Sequence, residues 1–206
     1  MIAKMQIPAK DTCYRLMCEM KMLDHIVGHS LQVSRVAGFL AEQLQLKGFE
    51  LNDRLIRAAA LLHDITKTRS FDTDENHALT GGQWLTEQGY REVGSIVRQH
   101  VRLDEYPASR TPNEAQLVNY ADKRVVHDRI VTFQKRMDYI MVKYGQAPEH
   151  RRRLYKLRDS TLALEGRLFR SLDFSPDDLA GLIQPRDCAA ELSEYRKACN
   201  RSAANE

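Results

Sequence analysis

The sequence predicts an all-α protein, a helical bundle with a C-terminal helical extension. Three observations carry that expectation. Apolar residues recur at three- and four-residue intervals along most of the 206-residue chain, the six prolines and ten glycines fall mostly between those periodic stretches, and strand-type alternation is nearly absent. A first helix is expected from Asp11 to Met22 and a second from His25 to Lys47, closed by Gly48. Asn52 reads as an N-cap for the stretch Asp53 to Lys67, which sets Ile56, Ala59, Ala60 and His63 on one face and ends in a polar loop from Ser70 to Glu75. A short helix follows His77. After Gly89 comes another, Arg91 to Arg102, aligning Val93, Ile96, Val97 and His100. Beyond a loop around Pro107, Thr111-Pro112 reads as an N-cap followed by proline at the first helical position, opening a long helix that lasts to Gly145. Pro148 marks the clearest boundary, dividing a domain of residues 10–147 from the extension 148–206, in which Ser175-Pro176 starts one of two or three further amphipathic helices.

Composition narrows the class. With 43% hydrophobic residues the chain can bury one sizeable core, and low-complexity disorder is excluded. The longest aliphatic run, Ala58 to Leu62, is far too short to cross a bilayer, and the N-terminus lacks the apolar stretch of a secretory signal, so a cytoplasmic location is expected. Cys13, Cys18, Cys188 and Cys199 match neither a C-x-x-C pair nor a dense disulfide framework, and reduced thiols are the expectation. A net charge of +3 is too weak for a dedicated nucleic-acid binder. The local cluster Arg151, Arg152, Arg153, Lys156 and Arg158 keeps phosphate contact open, the plainer reading being a solvated helix face.

Chemistry enters through histidines and aspartates at positions where periodicity asks for an inward apolar residue. His29 shares a face with Val33, Val36 and Leu40; His63 shares one with Ile56, Ala59 and Ala60, with Asp64 beside it; Asp122 lies between Val118 and Val125. An inward carboxylate is costly without a partner, so two such aspartates among several inward imidazoles imply a compensating cation. Nitrogen and oxygen donors without thiolate suit iron, manganese, cobalt, nickel or zinc. His29, His63, Asp64 and Asp122 suffice for one divalent ion. His77 and His100 supply two more imidazoles, and if Asp64 bridges they hold a second ion, giving the paired-metal clamp used in phosphoester hydrolysis.

The order His29, His63-Asp64, His77, His100, Asp122 resembles the HD superfamily of metal-dependent phosphohydrolases. The resemblance covers roughly residues 20–145 and includes the apolar run Leu55 to Leu62 into His63-Asp64, with Lys67 three residues later, and the closing segment Tyr120-Ala121-Asp122-Lys123. It implies an all-helical bundle, with His29, His63, Asp64 and Asp122 on the first metal and His77 and His100 matching the extra histidines of two-metal members. Iron or manganese is favoured over cobalt, nickel or zinc. Thr66 stands where the His-Asp-Ile-Gly subgroup has glycine, and no Gly-Tyr-Pro signature follows, which argues against the cyclic dinucleotide phosphodiesterases that carry one. The short chain and the binuclear set look most like the symmetrical dinucleoside tetraphosphate hydrolases.

From these residues the expected activity is hydrolysis of a phosphomonoester or phosphoanhydride, in a nucleotide or dinucleoside polyphosphate, with Asp64 orienting the attacking water and Lys67 neutralising charge on the phosphate. The plainer reading of Lys67 is a helix C-terminal lysine that complements the dipole. Lys123, beside Asp122, and Arg129, two turns further on the same face of the expected long helix, are candidates to border the pocket and bind substrate. His127-Asp128 is a second His-Asp pair, but His127 is about 140° around that helix from Asp122 and should point elsewhere. Two other function classes stay open: a di-iron oxygenase of the same superfamily, marked by redox-active iron and oxygen consumption, and a nucleotide-sensing regulatory module. Leu154, Leu157, Leu164 and Leu168 give the extension an apolar face for the core or for a second copy in a homodimer.

Overall fold

The computed structural model describes residues 5–104, 111–183 and 188–203. Helix α1 (Lys10–Glu19) leads into α2 (Asp24–Leu46), a 23-residue helix that is the axis of the fold. Gly48 at φ +85° closes it, with the Phe49 amide donating back to the Leu44 carbonyl. The side chains of Val27, Val33, Val36, Leu40 and Leu44 are fully buried along α2. Helix α3 (Asp53–Leu62) is capped by the Asn52 side chain, which accepts from the Leu55 amide, and lays Ala59 and Ala60 against α2. Small residues at that contact let the two axes approach.

Helix α4 (Ser70–Thr73) is a single turn inside the segment expected to be a loop. Helix α5 (His77–Glu87), capped by Asn76, packs on α6 (Arg91–Val97), which is shorter than expected. Their backbones nearly touch: a Cβ placed on Gly82 would lie 2.6 Å from the Gly94 carbonyl oxygen. Only glycine allows that approach, and it sets the separation of the segments that carry His77 and His100.

Helix α7 (Glu114–Asp122) is capped by Asn113 in a reciprocal capping box with Gln116, rather than by the expected Thr111-Pro112. The expected loop around Pro107 falls largely outside the described residues. The long helix to Gly145 does not form. After Lys123 the chain enters a hairpin, β1 (Val125–Val126) and β2 (Arg129–Ile130), paired Val125 to Ile130 and Val126 to Arg129. His127 takes φ +55° at the turn, and the β-branched run on either side favours extended backbone. Thr132 then caps α8 (Phe133–Tyr144).

Helix α9 (Pro148–Leu168) starts with proline at its first position and packs against both α7 and α8. Phe133, Met137 and Ile140 form a small cluster of their own with Tyr139 and Leu154, so the α8–α9 hairpin has a local core. Further on, Leu164 and Leu168, then Leu179 of α10 (Leu179–Leu182) and Tyr195 and Ala198 of α11 (Cys188–Ala203), share one core with α1, α2 and α3. Ser175-Pro176 does open a turn of 3-10 helix leading into α10. Buried Arg124 links these parts by donating to the carbonyls of Val131 and Pro176 and to the Tyr120 hydroxyl, which itself donates to Glu165.

The cysteine expectation is corrected. Cys18 and Cys199 form a disulfide that joins the end of α1 to α11 across 181 residues, while Cys13 is a buried free thiol. Sequence spacing carries no signal for so distant a pair. Among the described residues no helix is long and apolar enough to cross a membrane.

Candidate metal centre

Five helices deliver the cluster, most of it from their ends. His29 stands in the second turn of α2; His63 is the residue that caps the end of α3; His77 is the first residue of α5; His100 follows α6; Asp122 is the last residue of α7. Helix C-termini carry unpaired carbonyls and partial negative charge, so a cation is favoured where α3, α6 and α7 end together. Helix α3 stops at Leu62 rather than Lys67. From there the chain tightens into three-residue turns, with Ile65 donating to Leu62 and Lys67 to Asp64, and this brings His63 and Asp64 to the same side.

Backbone carbonyls fix the imidazoles. His63 Nδ1 lies 2.7 Å from the Ala60 carbonyl, His100 Nδ1 2.7 Å from the Val97 carbonyl and His29 Nδ1 3.0 Å from the His127 carbonyl. A carbonyl only accepts, so each Nδ1 carries a proton and each Nε2 is left as a lone pair. Those lone pairs converge. His29 Nε2 is 3.0 Å and His63 Nε2 3.8 Å from Asp122 Oδ1; His63 Nε2 is 3.6 Å from Asp64 Oδ2; His77 Nε2 and His100 Nε2 are 3.2 and 3.6 Å from Asp64 Oδ1.

Two sets of donor atoms are close enough together to hold an ion each: His29, His63 and Asp64, and Asp64, His77 and His100. Asp64 belongs to both. His63 Nε2 is buried with no hydrogen-bond partner, and an acceptor nitrogen of His29 faces a carboxylate oxygen at 3.0 Å. Acceptors so arranged, without a donor between them, fit a divalent cation. His77 differs, because Lys67, which can only donate, faces its Nδ1 at 3.5 Å.

The electrostatics follow from burial and neighbours. Complete burial pushes the His63 imidazole down to about 4, opposed by Asp64 and Asp122. Burial would raise Asp64, but the neighbouring His63, His100 and His77 imidazoles outweigh it and hold the carboxyl well below the usual range. Asp122 is depressed in the same way, against its burial, by Lys123, His29 and Arg136. Both carboxylates are therefore ionised and ready to ligate.

The six residues expected to bind metal stand together. Lys67 lines the same pocket, whose volume is about 410 Å³. Lys123 also reaches the wall, but it is 3% exposed and its ammonium is committed to Asp122 Oδ2 at 3.1 Å and to the His100 carbonyl. It positions two ligand segments. Arg129 lies on the exposed strand β2, outside the pocket lining, because the hairpin replaces the helix that would have carried it round. His127, expected to face away, borders the pocket instead and packs its ring on Tyr139. Thr66, in place of glycine, donates to or shares hydrogen bonds with the His77 carbonyl and Thr80 Oγ1 at 2.8 and 3.0 Å, tying the His-Asp turn to α5. Arg136 of α8 is the residue that sequence reasoning missed, with a terminal guanidinium nitrogen 3.4 Å from Asp122 Oδ1.

Comparison with known proteins places this cluster in a family. The chain is 28% identical over 122 residues to an uncharacterised protein of Methanocaldococcus jannaschii, covering 56% of this chain and 71% of that protein. It is 34% identical over 74 residues to ribonuclease Y of Rubrobacter xylanophilus, covering 36% of this chain and 13% of the enzyme. It is 29% identical over 150 residues to a tRNA (cytidine(56)-2'-O)-methyltransferase of Picrophilus torridus, covering 64% of this chain and 40% of that protein. The chain thus spans well under half the length of the latter two. No solved structure matches it significantly. Residues 26–125 match the HD domain family, and that stretch contains all six residues of the cluster: the chain carries an HD domain, the all-helical fold of a family of metal-dependent phosphohydrolases.

Proposed function

We propose that this chain hydrolyses phosphomonoester or phosphoanhydride bonds in a nucleotide or dinucleoside polyphosphate, using two divalent transition metal ions, iron or manganese by preference. The observation that carries the reading is the Asp64 carboxylate, set between the Nε2 atoms of His63 at 3.6 Å and of His77 and His100 at 3.2 and 3.6 Å. His29, His63, Asp64 and Asp122 would hold one ion and Asp64, His77 and His100 the other. Bound there, the ions supply Lewis acidity that makes water a nucleophile near neutral pH and offsets charge on the phosphate.

The chain's own groups do the rest. Asp64 accepts a hydrogen bond from the attacking water and aims it at phosphorus. Lys67, on the pocket wall beside His77, donates to a phosphate oxygen as negative charge builds there. The apolar residues Ile26, Val101, Ile140, Leu154 and Leu157 on the same wall limit competing water. The test is elemental analysis of protein purified without chelator, followed by a phosphate-release screen over nucleotides and dinucleoside polyphosphates. Two metals per chain with phosphate released supports the reading. Oxygen uptake without phosphate release would move the assignment to an oxygenase, and neither metal nor turnover would leave a sensing module.

One observation favours a second substrate class. Residues 133–158 hold eight lysines and arginines against two acids in a chain of net +3, and Leu154 and Leu157 of that segment line the pocket. Together with the ribonuclease Y relative, this supports a phosphodiester of RNA. Binding of a short single-stranded RNA that weakens steeply with salt would select it.

A further inference from the structure

Helix α8 turns one face toward the cluster. Arg136, Tyr139, Ile140, Lys143 and Tyr144 all line the pocket, and spacings of three, four and seven residues keep them on one stripe. At the inner end the Arg136 side chain is largely buried. Its terminal nitrogen meets Asp122 Oδ1 at 3.4 Å, but its Nε is buried with no hydrogen-bond partner, so the planar fork is only half used. Asp122 already has a closer donor in Lys123 at 3.1 Å. A largely buried guanidinium that lines a cavity suits a planar or tetrahedral oxyanion.

One turn outward the chemistry changes from ionic to aromatic. The Arg136 guanidinium lies 5.8 Å from the centre of the Tyr139 ring, and the Lys143 ammonium sits over both Tyr139 and Tyr144 at 5.8 and 5.4 Å. Tyr144 is 48% exposed and Phe71, on the pocket's other lip, 56% exposed. Three rings on the pocket lining, two of them under the Lys143 ammonium, make a platform that a flat heterocycle can occupy in place of that ammonium. The ligand that satisfies both ends carries an oxyanion on one side and a planar ring on the other, about 10 Å apart along the helix.

We infer that the α8 stripe is the specificity element of this pocket: it reads a nucleoside phosphate, with Arg136 holding phosphate oxygens beside the metal cluster and Tyr139 and Tyr144 stacking on the base. The inference rests on the phosphohydrolase reading only for what happens to that phosphate. Recognition itself is a property of the apo chain.

The test therefore measures binding and turnover separately. A fluorescent nucleoside diphosphate is titrated into chelator-treated protein and competed with unlabelled ADP and with inorganic pyrophosphate. Arg136→Ala should weaken ADP and pyrophosphate alike, by about tenfold or more. Tyr139→Leu should weaken ADP by about tenfold and leave pyrophosphate unchanged, because stacking acts on the base alone. Arg136→Lys, which keeps charge but loses the fork, should fall between wild type and Arg136→Ala and serves if the alanine variant does not fold. Lys197→Ala, on the exposed side of α11, should bind as wild type does. The inference is overturned if wild type binds no nucleotide, if Arg136 substitutions change nothing, or if Tyr139→Leu weakens both competitors equally. The same variants are then loaded with manganese and assayed on ADP and on 4-nitrophenyl phosphate. Turnover of both by wild type with no Arg136 dependence sinks the stripe and spares the phosphohydrolase; Arg136-dependent binding without any turnover does the reverse.

Discussion

Replacing His63 by leucine should reduce the acid sensitivity of the chelator-treated protein. The His63 side chain is 0% exposed, and burial holds its imidazole at about 4, against 6.5 for a free histidine. The folded value lies below the unfolded one, so the unfolded chain takes up a proton first as pH falls. Stability is therefore complete above 6.5 and drains away between 6.5 and 4. Linkage puts the loss at about 2 kcal/mol on going from pH 7.5 to 5 and about 3 kcal/mol in the acid limit. The assay is urea unfolding of chelator-treated protein at both pH values, wild type beside His63→Leu. Asp64 and Asp122, held well below the carboxylate range, stay ionised between pH 7.5 and 5 and add little slope there, while His77, also lowered by burial, adds slope of the same sign in both proteins. Manganese should raise the midpoint more at pH 7.5 than at pH 5, because proton and cation compete for the same lone pair. Equal acid losses in the two proteins, or a manganese effect indifferent to pH, would refute the assignment of a bare Nε2 on His63.

Three further perturbations separate the roles in the cluster and the fold. Asp64→Asn keeps the volume but removes the charge shared by both donor sets, and elemental analysis should show both metals lost; retention of two would place Asp64 outside the site. Gly94→Ala sets a Cβ 2.6 Å from Thr86 Oγ1 and onto the Gly82 carbonyl, so thermal unfolding should register a loss of about 1–3 kcal/mol, with metal content falling toward one per chain as α5 and α6 separate. Cys199→Ser opens the link across 181 residues; stability should drop by about 2–4 kcal/mol, while dithiothreitol destabilises wild type and leaves the variant unmoved.

Legibility of this site in the sequence depended on helical phase. His29, His63 and Asp122 each interrupt an apolar face whose neighbours are fully buried, and the cost of burying them bare pointed to a cation before any coordinate did. Asn52 was equally plain, because a cap acts within three residues of itself. Phase stopped serving where the helix stopped. A straight helix would carry Arg136 about 21 Å beyond Asp122; the β1–β2 hairpin instead folds α8 back and brings the two within 3.4 Å. The same turn sends Arg129 outward and His127 inward. Val125, Val126, Ile130, Val131 and Thr132 are the local signal for it, and β-branched residues also serve in buried helix faces, so the pattern admits both readings. The Cys18–Cys199 pair was illegible for a different reason, since no local rule links residues so far apart.

Lys67 ties metal loading to substrate charge, and the two can be pulled apart. In the metal-free chain its ammonium faces His77 Nδ1 at 3.5 Å, so His77 presents its proton from Nε2, toward Asp64 at 3.2 Å and His100 at 3.2 Å. His29, His63 and His100 already show lone pairs to the pocket; His77 must first move that proton to Nδ1 and so lose its contact with Lys67. The His29–His63 side should therefore load before the His77–His100 side, because only the second loading requires a tautomer shift at His77, from Nε2–H to Nδ1–H, with no net proton released. Lys67→Met removes the donor that holds His77 in the wrong tautomer, so it should leave metal content at the wild-type level or raise it. The freed ammonium is, in the same motion, the group available to a phosphate oxygen, and without it turnover should fall by about 10²–10³. Isothermal titration of manganese resolves the two loadings, and phosphate release measures turnover. Parallel loss of metal and activity in Lys67→Met would make Lys67 a support for the cluster rather than a partner of the substrate.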